Sequence, residues 1–302
     1  MNLNLFKNEF AAEKLLYSEP MSNYTSFKIG GPADLIVFPE TTEEIKKALI
    51  MCVENSIPYF IMGKGSNLLV RDSGYRGVII HLSKNFESIR LLNERSIYAG
   101  AGITLSKLAA FAMDNSLGGL EFASGIPGSL GGAVFMNAGA YDGEMKDVIT
   151  SVELLDESGN EIIKTNEQMD FGYRSSLIQK TSGKYIVLGA SMKLQKGEIS
   201  AIKAKSLELN MKRKDKQPLD LPSAGSAFKR PEGYFAAKLI DDAGLKGFSV
   251  GGAMVSEKHS GFIVNFNRAT ADDVIELINA VKEKVYKEFK VELEAEVRII
   301  GD

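Results

Sequence analysis

The chain has 302 residues, of which 44% are apolar and 25% are charged, so it is long enough for two or three domains that each bury a core. The formal net charge of −3 argues against a nucleic-acid binder, and a phosphate-bearing ligand would need local cations or backbone amides. A single cysteine, Cys52, excludes an internal disulfide and a cysteine-rich metal site. With only His81 and His259, the composition also argues against a histidine zinc site and a Ser-His-Asp hydrolase.

Hydropathy predicts a cytoplasmic protein. Residues 1–10 lack the basic start and long apolar run of a secretion signal. No stretch approaches the roughly 20 apolar residues that a membrane span requires. We therefore expect no membrane partner, no nucleic-acid partner and no metal ion.

The first 85 residues predict a small β-α-β unit. Thr41 and Glu44 have the spacing of a capping box, and apolar residues that include Cys52 follow at helical intervals, so we expect this cysteine to be buried. A glycine-bearing loop over 63–67 separates the last two strands. The predicted elements are a strand over 33–38, a helix over 42–55, and strands over 58–62 and 78–82.

The rest of the chain predicts a second unit and then a new domain. The basic helix over 199–216 stops before Pro218, which places a boundary near residue 200. In the last segment, over 291–299, Val291, Leu293, Ala295, Val297 and Ile299 alternate with charged residues, which predicts a strand with one face in the core. The other predicted elements are strands over 87–91 and 95–99, a helix over 104–116, a hairpin over 152–155 and 161–164, helices over 233–243 and 271–289, and a strand over 262–266. The predicted divisions are 1–85, 86–200 and 201–302.

Two glycine-rich loops could surround the phosphates of a dinucleotide. The loop over 63–67, GKGSN, follows a predicted strand, where backbone N–H groups could meet a pyrophosphate, although a tight turn would need the same glycines. Residues 124–133, SGIPGSLGGA, contain more glycine than a turn requires. Neither loop matches the G-x-G-x-x-G pattern of doubly wound folds, and no P-loop is found, so a dinucleotide would need another architecture.

Three further positions have both a functional and a structural interpretation. Arg174 lies beside an aromatic residue and two hydroxyls, but alone it reads as a surface arginine. Ser226 lies among small residues before two cations, although no histidine adjoins it to make it a nucleophile. Glu296 lies two residues before Arg298, and an edge strand often carries such charges.

Seven short motifs, in order and spacing, are similar to those of the UDP-N-acetylenolpyruvoylglucosamine reductase family over residues 24–301. They begin at Tyr24 (YTSFKIGGPA), Gly63 (GKGSNL), Glu121 (EFASGIPG), Met136 (MNAGAY), Gly172 (GYRS), Ser223 (SAGS) and Glu296 (EVR). The resemblance implies an α+β fold, with a two-subdomain FAD-binding domain of the vanillyl-alcohol-oxidase (PCMH) type and a C-terminal α+β substrate domain. The chain resembles the shorter subtype, because it lacks an inserted tyrosine-bearing loop.

The resemblance also implies an activity. In this family NADPH reduces a noncovalently bound FAD and leaves, and UDP-N-acetylglucosamine enolpyruvate then occupies the same site. Hydride transfer from flavin N5 to the methylene carbon leaves a carbanion that must be stabilised and protonated. The product is UDP-N-acetylmuramate, a precursor of peptidoglycan, and the implied partners are NADPH and the UDP-sugar.

Site residues follow from the resemblance position by position. Ser226 matches the proton donor, Arg174 matches the arginine that binds the substrate carboxylate, and Glu296 matches its partner carboxylate. The implied FAD contacts are Gly63, Lys64, Gly65, Ser66, Asn67, Leu68, Ser124, Gly125, Pro127, Gly128, Gly131, Gly132, Ala133 and Arg298. The implied substrate contacts are Tyr173, Lys216 and Arg230.

Two positions depart from the family pattern. Many relatives have asparagine where this chain has Arg230, and the run Lys258 to Phe262 has Ser260 and Gly261 in place of alanine and asparagine. His259 is therefore left outside the predicted catalytic set and is interpreted as a loop histidine.

Two alternatives remain open at this point. A flavin oxidase of the same broad fold often attaches FAD through a histidine, but neither histidine falls in a pyrophosphate loop. A nonenzymatic FAD or nucleotide-sugar binder would not require Arg174, Ser226 and Glu296 together. A monomer is the favoured oligomeric state.

Overall fold

The computed structural model describes residues 2–181 and 183–301. Its helices in chain order are α1 Phe6–Glu9, α2 Thr42–Glu54, α3 Leu105–Asp114, α4 Leu130–Met136, α5 Leu177–Lys180, α6 Ile199–Lys216, α7 Ala236–Asp242 and α8 Ala271–Phe289. Within the described ranges, no helix is both long and apolar enough to cross a membrane.

The strands are short and numerous, and most lie in three larger sheets. They are β1 Leu15–Pro20, β2 Pro32–Val37, β3 Tyr59–Met62, β4 Leu68–Val70, β5 Tyr75–His81, β6 Ile89–Asn93, β7 Ser96–Gly100, β8 Leu117–Gly118, β9 Gly139–Ala140, β10 Gly143–Glu144, β11 Ile149–Asp156, β12 Glu161–Thr165, β13 Tyr185–Lys193, β14 Gln195–Lys196, β15 Ser223–Ser226, β16 Ser249–Val250, β17 Ala253–Val255, β18 Phe262–Asn265 and β19 Arg298–Ile300. The strand orders of the larger sheets are β1-β2-β5-β3, β12-β11-β13-β7-β6 and β15-β18-β17-β16.

The chain divides into two compact units, each assembled from separate segments. The first unit contains Met1–Leu16, Leu35–Lys64 and Gly77–Arg213. The second unit contains Tyr17–Asp34, Gly65–Arg76 and Lys214–Asp302. The division into domains at residues 85 and 200 stays a prediction.

The first unit contains the predicted β-α-β elements and hairpin. β3 and β5 pair in parallel, and β11 pairs with β12 and β13 in antiparallel register. The turn of the β11–β12 hairpin is held by the Asp156 carboxylate, which accepts hydrogen bonds from the N–H groups of Ser158 at 2.9 Å and Asn160 at 2.8 Å. The predicted strands and hairpin are confirmed, because local turn chemistry and apolar runs were sufficient to specify them.

Helix α2 confirms the predicted helix and buries the stripe that includes Cys52. Burial raises the pKa of the Cys52 thiol to about 12, so this cysteine is an apolar core residue. Thr41 caps the helix by accepting the Glu44 N–H at 3.2 Å. The Glu44 carboxylate, however, accepts the N–H of Glu40 at 2.8 Å and the Lys14 ammonium at 2.7 Å. The predicted capping box is therefore incomplete, because the Glu44 carboxylate bonds the N–H of Glu40 and not that of Thr41, and it also forms an ion pair with Lys14.

The second unit packs two helices on an antiparallel sheet. β18 pairs with both β15 and β17, and residues of α7 and α8 fill the core against it. The predicted helix over 271–289 is confirmed as α8, and five apolar residues on one of its faces are buried: Val274, Leu277, Ile278, Val281 and Val285. A full capping box begins α8, because Thr270 accepts the Asp273 N–H and the Asp273 carboxylate accepts the Thr270 N–H.

The predicted strand over 291–299 is wrong in its extent and in its last position. Only residues Arg298–Ile300 form a strand, β19, which pairs in parallel with β4. The alternation of burial holds through Leu293 and Val297 but fails at Ile299, which is 39% exposed. Ile299 lies opposite Leu69 in the parallel pair of β19 with β4. The pairing partner of a strand decides which of its residues face the core, so the burial pattern of the preceding residues does not continue to Ile299.

The capping box of α8 gives a first test of the fold. We expect Thr270→Ala to lower the free energy of unfolding by about 1 kcal/mol, because the N–H of Asp273 loses its acceptor. Thr270→Ser keeps the hydroxyl and should stay close to the native protein. Chemical denaturation of the purified protein measures both variants, and equal losses would show that the hydroxyl is not the stabilising group.

Candidate active site

The loop that begins at Gly63 is shaped by two glycines with different constraints. A Cβ on Gly63 would lie 2.2 Å from the Ser129 hydroxyl oxygen, so this position needs close approach within the first unit. Gly65 has a left-handed φ of +62°, and a Cβ there would lie 2.2 Å from the carbonyl oxygen of Tyr24 within the second unit. Lys64, between them, is exposed. Gly65 must therefore be glycine, whereas a side chain at position 63 would require the Ser129 hydroxyl to move, and the intervening cation is exposed to a phosphate.

Two residues of α6 contact the backbone of the second glycine-rich loop at Gly125. A Cβ on Gly125 would lie 2.4 Å from Asn210 Oδ1, and the Gly125 carbonyl accepts a hydrogen bond from the buried guanidinium of Arg213. Burial lowers the pKa of Arg213, and the electrostatic interaction and hydrogen bond with Tyr141 oppose that shift. Neither Arg213 nor Asn210 was predicted from the sequence. Their side chains fix the backbone that leads to Pro127.

Gly131 has a packing role in the first unit. Its N–H donates to the Ala101 carbonyl at 2.8 Å, and a Cβ on it would lie 3.1 Å from the Ala101 Cβ. The Ala133 N–H likewise donates to the Ser129 carbonyl at 2.9 Å. Both amides are therefore used within the protein, whereas Gly132 is exposed.

Arg174 lies in a tight and strained turn. Gly172 and Ser175 exchange backbone hydrogen bonds at 3.0 and 3.2 Å, and Arg174 between them has a left-handed φ of +50°. Its guanidinium donates to the Gly139 carbonyl at 2.9 Å and lies 5.0 Å from the centre of the Tyr173 ring. A left-handed conformation costs a side chain of this size about 1 kcal/mol or more, and such outliers cluster at functional sites.

Asn137 supports that turn and was not assigned a role from the sequence. It is fully buried and ends α4 with a left-handed φ of +47°. Its amide nitrogen donates to the Gly172 carbonyl at 2.9 Å and to the Glu144 carboxylate at 3.1 Å, and its oxygen accepts the Lys146 N–H at 2.9 Å. One side chain thus ties the start of the Arg174 turn to the segment after α4.

Ser226 lies at a β-bulge in the second unit. Ser223 opposes Val264 and Ser226 opposes Phe262, so β15 has one more residue than β18 between these pairs. Gly225 has a φ of +80°, with open space where a Cβ would be, so its conformation alone requires glycine. A bulge re-aims the next side chain, and here that side chain is the half-buried Ser226.

Backbone bonds bring Glu296 next to the segment of Ser226. The Glu296 N–H donates to the Ala227 carbonyl at 2.9 Å, and the Asn67 amide donates to the Glu296 carbonyl at 3.1 Å. The Arg298 N–H in turn donates to the Asn67 carbonyl at 3.1 Å, and burial lowers the pKa of the Arg298 guanidinium. The second unit therefore groups the predicted residues of the loop after Lys64 with Ser226, Glu296 and Arg298. Arg174 belongs to the first unit.

The predicted substrate contacts lie at exposed positions. Tyr173 is 47% exposed, and Lys216 is exposed at the end of α6. The Arg230 guanidinium stacks 3.9 Å from the centre of the Phe235 ring, and its Nε donates to the Tyr234 carbonyl at 3.3 Å. Cations and aromatic rings at such positions are suited to phosphate and base recognition.

Comparison with known proteins assigns the chain to a family. Residues 217–300 match the model of the UDP-N-acetylenolpyruvoylglucosamine reductase C-terminal domain, and residues 33–165 match an FAD binding domain. The chain is 54% identical over 297 residues to UDP-N-acetylenolpyruvoylglucosamine reductase of Clostridium botulinum, covering 98% of this chain and 96% of that protein. The Alkaliphilus oremlandii protein of the same name is 54% identical over 95% of this chain and 94% of its own length.

A solved structure gives the same result. UDP-N-acetylenolpyruvylglucosamine reductase (MurB) from Thermus caldophilus matches with a TM-score of 0.80 and 37% identity, covering 95% of this chain and 98% of that one. The chain belongs to the UDP-N-acetylenolpyruvoylglucosamine reductase family. The predicted family and the α+β class are thereby confirmed, and this reductase is an FAD-dependent oxidoreductase.

The residues of the reductase fit FAD. At Gly63 and Gly125, both in the first unit, the space of a Cβ is occupied by the Ser129 hydroxyl oxygen and by Asn210 Oδ1, so each backbone lies close to a neighbouring polar side chain. The exposed Lys64 and Gly132 adjoin those loops. Backbone amides and a cation of this kind suit a pyrophosphate.

Asn137 gives the test of the first-unit site. We expect Asn137→Ala to lower the free energy of unfolding by about 3 kcal/mol, because it leaves the Lys146 N–H without an acceptor, removes one of the two donors to the Gly172 carbonyl and places alanine at a positive φ. Asn137→Gly removes the same bonds without the conformational cost and should be roughly 1 kcal/mol less destabilised. Urea denaturation separates the two effects, and equal losses would assign the whole role of Asn137 to its side chain.

Proposed function

We propose that this flavoenzyme uses NADPH to reduce UDP-N-acetylglucosamine enolpyruvate to UDP-N-acetylmuramate, a precursor of peptidoglycan, as a cytoplasmic monomer. The observation that carries the proposal is the grouping of Ser226, Glu296 and the loop around Asn67 in the second unit, by backbone hydrogen bonds and by the side-chain amide of Asn67. The name of the relatives with 54% identity supports the enolpyruvyl substrate.

FAD, when bound, would supply the hydride-transfer chemistry between NADPH and the enolpyruvyl group. Residues of both glycine-rich loops would hold the cofactor noncovalently: Gly63, Lys64, Gly65, Ser66, Asn67, Leu68, Ser124, Gly125, Pro127, Gly128, Gly131, Gly132, Ala133 and Arg298. For Gly131 and Ala133 a contact would involve atoms other than the backbone N–H, since those N–H groups bond within the protein. Arg213 would contribute indirectly, by holding the Gly125 carbonyl.

His81 is not suited to covalent attachment of the cofactor. It is 9% exposed, and its ring lies 5.1 Å from that of Phe38. Burial, and then the charge of Lys64, lowers the pKa of His81 to about 4, so the imidazole is neutral at physiological pH. The enclosure of the ring by protein atoms supports the assignment of a noncovalent flavin.

Ser226 would donate the proton that completes the reduction. A serine hydroxyl is a weak acid, but a carbanion next to a carboxylate is a strong enough base when the two are within hydrogen-bond reach. The bulge at Gly225 fixes the direction in which the Ser226 side chain leaves the backbone. A proton donor that is held in place needs less reorganisation during the reaction than a mobile one.

Arg174 and Glu296 would act on the substrate carboxylate. The planar guanidinium of Arg174 has several N–H groups, of which one is donated to Gly139, and it can stabilise charge that grows in the carboxylate. Glu296 would orient that centre. Tyr173, Lys216 and Arg230 would contact the UDP-sugar, since a diphosphate in a mildly acidic protein needs local cations.

An anaerobic spectral titration tests the proposal. Purified protein should show an oxidised flavin that is released by acid, bleached by NADPH, and reoxidised by UDP-N-acetylglucosamine enolpyruvate without oxygen. A flavin reoxidised only by oxygen would instead indicate an oxidase. A protein that binds flavin but is not reduced by NADPH would contradict the proposed donor.

Ser226→Ala tests the proton donor. Reduction of the flavin by NADPH should remain near the native rate, while reduction of the enolpyruvyl substrate should slow by roughly 10² or more, the usual scale for a positioned acid. Stopped-flow absorbance measures the two half-reactions separately, with Ser223→Ala, at the other end of β15, as the matched control. Equal slowing of both half-reactions in Ser226→Ala would remove Ser226 from this role.

A further inference from the structure

We propose that His259 is a positioning residue that holds the backbone of Ser226 in place through Gly261. The inference rests on the proposed role of Ser226 as proton donor. It concerns a histidine that the sequence alone left as a loop residue, and it uses contacts within the second unit only.

The imidazole of His259 is fixed against Gly261. Its Nδ1 accepts the Gly261 N–H at 3.1 Å, and its ring meets the Phe262 ring edge-on, with centres 5.0 Å apart. A Cβ on Gly261 would lie 3.0 Å from His259 Cε1 and 3.2 Å from Nδ1, which is tighter than ordinary contacts. The absence of a side chain at Gly261 therefore lets the ring lie directly against the backbone.

Gly261 transmits this contact to the segment of Ser226. Its carbonyl accepts the Ala227 N–H at 2.8 Å, and Phe262, the next residue, lies opposite Ser226 in the β15–β18 pair. The bulge interrupts regular pairing between Ser223 and Ser226. The bond from Ala227 to Gly261 thus fixes the backbone on the far side of the bulge, where sheet pairing alone is weakest.

The turn that carries His259 is itself well supported. The Ser256 hydroxyl oxygen accepts the N–H groups of Lys258 at 3.1 Å and His259 at 3.3 Å. The His259 carbonyl accepts the Phe262 N–H at 2.9 Å. With its backbone held at both ends, the imidazole has little freedom to leave Gly261.

The bond requires a neutral imidazole, because Nδ1 can accept the Gly261 N–H only without its own proton. Burial, followed by the charges of Lys216 and Lys246, lowers the pKa of His259 from its ordinary value of 6.5. Lys246 also lies 3.6 Å from the Asp241 carboxylate, which lies 3.4 Å from the Ser260 hydroxyl. A lowered pKa means that the unfolded chain binds the proton more tightly, so this contribution to stability is present above pH 6.5 and is lost as the pH falls through the folded-state pKa.

Three substitutions distinguish a positioning bond from bulk packing. In His259→Asn the side-chain oxygen replaces Nδ1 and can accept the N–H two residues on, as in an Asx-turn. In His259→Gln the amide reaches the position of Nε2 instead, and His259→Leu has no acceptor. We expect Gln and Leu to slow substrate reduction by roughly 10-fold or more while flavin reduction by NADPH stays near native, and Asn to restore most of the lost rate.

Equal rates for the Asn and Gln variants, or equal slowing of both half-reactions, would overturn the proposal. The comparison is independent of the proposed function: if native enzyme is not reoxidised by the enolpyruvyl substrate, the function fails, whereas a native enzyme that turns over with no difference between the variants refutes only the role of His259.

The native holoenzyme gives a second measurement that needs no variant. With two histidines in the chain, ¹⁵N-labelled imidazole spectra assign both rings. We expect His259 to carry its proton on Nε2 and to titrate below pH 6.5, with the Gly261 amide resonance shifting at the same midpoint. A protonated Nδ1 at neutral pH, or a Gly261 amide that does not follow the titration, would exclude the bond on which the proposal depends.

Discussion

The candidate site of the second unit depends on the backbone hydrogen bonds of one short segment, residues 294–300. Within it, Glu296 donates to Ala227, next to the candidate acid, and Arg298 donates to Asn67, in the loop that follows Lys64. Because these are main-chain bonds, they fix positions independently of the side chains that do chemistry. These bonds therefore fix the backbone positions of Glu296, of the segment next to Ser226 and of the loop around Asn67. Substitutions of the side chains at the site need not disturb them.

In the first unit, by contrast, single residues adopt strained backbone conformations. Arg174 and Asn137 both have left-handed backbones, and the Asn137 amide compensates by bonding the turn that begins at Gly172. A strained residue persists only where its surroundings over-determine it. The first unit thus holds a cation, and the second unit holds a hydroxyl, by separate means.

Local pattern was sufficient for some elements and insufficient for others. The helix over 271–289 was predicted at both ends, because its 3.6-residue apolar period is encoded within the segment. The strand over 291–299 was overextended, since its pairing partner lies far away in the sequence and no local pattern specifies it. Arg213 and Asn137 were missed for the same reason: their importance lies in which carbonyls they meet. The motifs indicated the candidate chemistry but not the bonds that support it.

The separation between Asn67 and Glu296 is 229 residues, and it has a consequence for synthesis. On the ribosome, β4 and the loop before it emerge long before β19 exists to pair with them. A contact between residues so far apart in the sequence forms slowly. Until it forms, the unpaired edge of β4 can take part in aggregation. The nascent chain can therefore form the β12-β11-β13-β7-β6 sheet of the first unit early. The loop around Asn67 can form its hydrogen bonds to Glu296 and Arg298 only after the end of the second unit has been synthesised.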